Sequence, residues 1–126
     1  MNRTVAGVLL LLILLAGGIG SAAGLSRQSE TLAAQMDAAT QLALSGDLQE
    51  ARSLAAAARN RWESVYPIHA VFTDHGPLDT IGLGFSRLEL YAQAEDWTGF
   101  ALACTELAEQ LRDLGETQGT QWWNLL

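Results

Sequence analysis

DWTGFALACTELAEQLRDLG, Asp96 to Gly115, is the stretch whose periodicity decides the fold class. Trp97, Phe100, Cys104, Leu107, Leu111 and Leu114 recur in alternating steps of three and four, which is one face of an α-helix and no face of a strand. Asp96 supplies the side-chain acceptor that starts such a helix, and Gly115 predicts its end. Cys104, the one cysteine of the chain, falls on the apolar face, the ordinary place for a small buried thiol. With no second cysteine there is no internal disulfide.

Upstream the same periodicity repeats. Leu78, Ile81, Phe85, Leu88 and Ala92 form a stripe that begins after Thr73-Asp74-His75-Gly76-Pro77, with Pro77 suited to the first helical position. Ala51, Leu54, Ala55, Ala58, Trp62 and Val65 form another, interrupted by Pro67. That helix either ends near Val65 or kinks and continues through His69 and Phe72; the stripe stays in phase through both, which favours the kink. Leu32, Met36, Ala39 and Ala43 make the earliest stripe. Gly46 predicts its stop, and Asp47 with Glu50 three positions on predicts a reciprocal cap for the next helix.

Ala92 to Trp97 echoes the turn around Asp47, with a cap and an apolar residue at equivalent places, so the chain reads as two antiparallel hairpins. Their offset of about fifty residues exceeds the ~34 of tetratricopeptide units, which leaves a solenoid in second place.

Thr4 to Leu25 carries no charge and is dominated by Leu, Ile, Val, Ala and Gly. At ~1.5 Å per residue it reaches the ~30 Å of a bilayer's hydrocarbon. Residues 1–25 are therefore expected to be an N-terminal transmembrane anchor, and residues 26–126 one extracytoplasmic helical bundle domain. The alternative is a signal peptide cleaved after Ser21-Ala22-Ala23, which would release a secreted protein. Arg3 precedes the run, and the rest of the chain holds six Arg against fourteen Asp and Glu. Positive flanks stay inside, so the domain is expected outside the cytoplasm.

The 126 residues carry a net charge of −7 with no lysine, and no basic patch exists for nucleic acid. His75 stands between Asp74 and Asp79, which makes these three the candidate metal ligands; the competing role for an Asp-His pair at a helix junction is capping. His69 shares a face with Trp62, Val65 and Phe72, as a buried histidine with one hydrogen-bond partner would. No catalytic constellation, haem motif or di-iron signature is present, so neither an enzyme nor a cofactor is expected. Gly82-Leu83-Gly84 lacks the context of a phosphate loop and predicts a close helix contact. Trp62 and Trp97 belong to apolar stripes. Trp122, Trp123, Leu125 and Leu126 crowd one terminus and are the candidate partner-binding residues.

Trp62, then Phe72-x-Asp74-His75-x-x-Leu78-Asp79, Leu88, Tyr91, Asp96, a Leu-rich last helix and Asn124-Leu125-Leu126 form a pattern that covers most of the chain. In this it resembles the uncharacterised single-pass membrane proteins of spore-forming Firmicutes grouped as domain-of-unknown-function family 4363. The resemblance implies an uncleaved anchor and a helical outer domain, and it draws attention to Asp74, His75 and Asp79. The chain departs from the pattern in Gly76-Pro77, in its Ala and Arg content and in its lack of lysine.

The expected architecture is all-α, an N-terminal transmembrane helix followed by an antiparallel bundle of about four helices in two hairpins. The expected role is a membrane-anchored, non-enzymatic interaction or structural module that buries a partner's apolar surface on the terminal Trp pair or in a groove between the hairpins. The alternative is a ligand or metal sensor around His75.

Overall fold

In the computed structural model the described residues form the α-helices α1 (Arg3–Leu44), α2 (Leu48–Phe72), α3 (His75–Gln93) and α4 (Trp97–Leu125). Residues 3–125 are described, except for the side chains of residues 15–23 and 119–125. The expected anchor and first bundle helix are one continuous helix of 42 residues. The change at Leu25 is one of composition, with no proline or left-handed residue to break the ladder, so it alters what surrounds the helix and leaves its backbone unchanged.

The two halves of α1 differ in burial. Residues 3–14 are exposed all round, with Ile13 at 66% and Leu14 at 64%. From Leu25 onward Ser29, Leu32, Met36, Ala39 and Ala43 turn inward as one stripe. Among the described residues no helix is long and apolar enough to cross a membrane. Side chains 15–23, the later part of the expected span, lie outside that description.

Short connections make successive helices antiparallel. α1 packs most extensively on α4 and also on α2; α3 packs on α4, and of these neighbouring pairs α2 and α3 touch least. The core is formed by the predicted stripes: Ala51, Ala58 and Trp62 of α2, Leu78, Ile81 and Phe85 of α3, and Phe100, Cys104, Leu107 and Leu111 of α4 are all buried.

The two hairpin turns share one hydrogen-bond pattern. Gly46 has φ +89, its N–H donates to the Ala43 carbonyl at 3.3 Å and the Asp47 N–H donates to Leu42 at 2.9 Å. Glu95 has φ +57, its N–H donates to Ala92 at 3.2 Å and the Asp96 N–H donates to Tyr91 at 2.9 Å. Both are left-handed helix stops that satisfy the final carbonyls. Glu95 has a side chain where glycine would be free of strain, so Glu95→Gly should stabilise the bundle by about 0.5–1 kcal/mol despite the added freedom of the unfolded chain. A urea midpoint unchanged or lowered would contradict this.

Several boundaries differ from the sequence expectation. The Asp47–Glu50 cap does not form, because Asp47 has ψ 65 and its side chain makes no capping bond. Asp96 does cap, accepting the Gly99 N–H at 3.0 Å. Pro67 lies inside α2, which continues to Phe72. α3 begins at His75, which puts Pro77 at the third position; N–H groups of the first turn have no helical acceptor, so the missing donor costs nothing there.

Gly115 does not end α4, which runs to Leu125. It serves close packing instead: a Cβ there would lie 3.3 Å from the Ser26 carbonyl oxygen and from Ser29 Cβ, and the Ser26 hydroxyl donates to the Gly115 carbonyl at 3.0 Å. Of the predicted Gly82–Gly84 contact, Gly84 makes it, since its Cβ would meet Leu107 Cδ1 at 2.8 Å, while Gly82 faces open space.

Candidate functional site

The α2–α3 seam is sparsely packed and holds two cavities. Ala55 and Ala56 of α2 and Gly82 of α3 are too small to close it. One cavity of about 350 Å³ is floored by Phe85, Leu88 and Phe100 and edged by Arg52 and Asn60. A second, of about 380 Å³, lies between Trp62, Tyr66, Leu78 and Asp79. The two adjoin at Arg59, Glu63 and Phe85.

Arg59 is a strap between them. Its Nε donates to Glu63 at 3.3 Å along α2, and its guanidinium also reaches across the seam to Glu89 of α3. Arg52 has no ion-pair partner among the described residues. An apolar floor, an unpaired cation at the rim and a few polar groups are the ordinary makeup of a binding cleft.

A separate polar node lies inside the bundle, at the end where the exposed half of α1 begins. Gln118 of α4 accepts from the Ser29 hydroxyl at 3.2 Å, and its amide Nε2 donates to His69 Nδ1 at 2.6 Å and to Thr73 Oγ1 at 3.2 Å. His69 is fully buried, as expected from its face of α2, and its other ring nitrogen has no partner. Trp62 lies against the ring, centroids 5.3 Å apart. The sequence reading missed Gln118 and Ser29, although each is a polar residue at a stripe position, four after Leu114 and four after Leu25.

Burial holds the His69 pKa below its ordinary value of 6.5. The unfolded chain binds the proton more readily, so His69 contributes stability that is complete above pH 6.5 and is lost as pH falls through the lower folded value. The loss should steepen to at most about 1.4 kcal/mol per pH unit. Urea unfolding across pH 5 to 8 checks this, since His69→Gln should show a shallower slope than the unaltered chain. Parallel slopes would contradict it.

The remaining candidates do not assemble. Asp74 is the N-cap of α3 with extended backbone, off the stripe that His75 and Asp79 share, and all three are exposed. Among the described residues no group of three or more His, Cys, Asp or Glu side chains could hold a metal ion. Cys104 is fully buried and its thiol is pushed up to about 12, which removes it as a nucleophile near neutral pH. The side chains of Trp122, Trp123, Leu125 and Leu126 lie outside the described residues.

No curated protein and no solved structure matches the chain. The model of a domain of unknown function, DUF4363, matches residues 19–125, a region that takes in the whole bundle with its open seam and polar node, and the chain belongs to that family.

Proposed function

We propose that this chain is a non-enzymatic interaction module, tethered by the first half of α1 in a membrane and displayed outside the cytoplasm, that takes a partner's amphipathic helix in the α2–α3 groove. The observation that carries this is the groove itself: a cavity of about 350 Å³ at the seam between the two hairpins, lined by Ala55, Ala56, Phe85, Leu88 and Phe100, where α2 and α3 make less contact than the other packed helix pairs. Apolar side chains of a partner would fill that cavity, and a carboxylate beside them would meet Arg52. The tether is supported by the absence of charge from Thr4 to Ser26 and by the uniform exposure of residues 3–14, which no part of the bundle covers. A lipid environment removes the cost of that exposure.

The test places a photo-crosslinking amino acid at Ala56, in the groove, or at Leu102, 61% exposed on α4. In intact cells Ala56 should give a discrete adduct that Arg52→Glu abolishes and that Leu102 does not give. Identical adducts from both positions, or none from Ala56, would remove the groove from the proposal. Alkaline carbonate should leave the chain in the membrane pellet, and its release would remove the tether.

A further inference from the structure

Three large apolar side chains are exposed together at the end of α2: Ile68 at 48%, Val71 at 76% and Phe72 at 43%. Their spacing of three and four puts them on one face of the helix. Of the other exposed large apolar residues of the bundle, Leu44 stands alone at the end of α1 and Leu102 alone on α4, and Leu83 and Leu90 lie two turns apart on α3. From Ser64 to Thr73 there is no charged side chain, and the first charge met on that face away from the tip is the cation Arg61.

The polar node fixes the height of this tip along α1. Gln118 bonds His69 and Thr73 on one side and Ser29 on the other, so the last turn of α2 and the turn of α1 at Ser29 lie at one level. The uncharged run of α1 ends at Ser26, within one helical turn of Ser29, and Arg27 follows. The tip is therefore level with the place where the uncharged run of α1 gives way to a charged and amphipathic sequence.

We propose that Ile68, Val71 and Phe72 form a second membrane contact, inserting the α2–α3 tip into the interfacial zone of the bilayer that holds α1. This rests on the tether proposed above. Arg61 reaches the phosphate level, as cations beside buried apolar faces do. Asp74 and Asp79, exposed at the start of α3, mark the side of the tip that stays in water. The contact makes two attachments of one, and it fixes the tilt of the bundle and so the direction in which the groove faces.

The full-length chain is reconstituted in phosphatidylcholine vesicles, with an environment-sensitive fluorophore on Val71→Cys or, at the opposite end of the bundle, on Leu44→Cys. Cys104 is fully buried and leaves the introduced thiol as the labelled one. The label at 71 should be quenched by lipids brominated near the glycerol backbone and lose most of its quenching by aqueous iodide, whereas the label at 44 should show the reverse. Equal iodide quenching at both positions in a chain that floats with the vesicles would overturn the tip contact and leave the tether standing. Shielding from iodide without quenching by lipid would also overturn it, in favour of a protein contact. A chain that does not float would remove the tether and the tip contact together.

Discussion

Trp62→Ala is expected to lower the stability of the bundle by about 3–5 kcal/mol. Trp62 is 3% exposed and lines the second cavity of the α2–α3 seam. Its ring stacks on Phe85 across the seam at 6.4 Å, meets Tyr66 edge-on at 6.0 Å and covers His69 at 5.3 Å. Truncation removes these contacts and leaves an indole-sized void. Because Trp62 also lines the second cavity, the void opens toward solvent, and water entry places the loss toward the lower end of that range. Trp62→Phe keeps an aromatic against Phe85 and should lose less. Urea unfolding followed by circular dichroism at 222 nm measures both, and a loss below about 1 kcal/mol for the alanine variant would contradict a core role.

Gln118→Leu should cost about 2–4 kcal/mol, although leucine has similar bulk and greater apolarity. Three hydrogen bonds disappear at once. Ser29 can turn its hydroxyl to a carbonyl one turn back in its own helix, and Thr73 is only half-buried. His69 has neither recourse: it is fully buried, and its other nitrogen already lacks a partner. Most of the loss therefore belongs to the histidine. Adding His69→Phe should restore part of it, because an unpaired buried polar group is worse than an apolar one of like shape. Simple addition of the two single-variant losses in the double variant would show that the pair is not coupled.

Local signals were legible where local physics decides the outcome. The stripes from Phe100 to Leu114 and from Leu78 to Ala92 became buried faces with Trp97 half-buried beside them, and hairpin turns formed at Gly46 and within Ala92 to Trp97. Helix ends were less legible, and Gly115 shows why. Glycine marks a helix stop when the chain turns, and a close approach when another backbone lies against it; the difference is the Ser26 carbonyl, 89 residues away in sequence. The site followed the same division. Small residues at Ala55, Ala56 and Gly82 are visible in sequence, but whether they permit close packing or leave a groove depends on which helix faces them.

The amino-acid sequence by itself determined that this is an all-helical chain of amphipathic segments, with an uncharged leading run and His69 on an inward face, because helical periodicity and side-chain polarity act within a few residues. Only the tertiary structure decided that the leading run and the first bundle helix are one rod, that α2 and α3 leave a seam open, and that Gln118 meets His69. Each of these is set by which faces pair across the bundle, and pairing is chosen by the fit of many side chains together, which no single segment encodes.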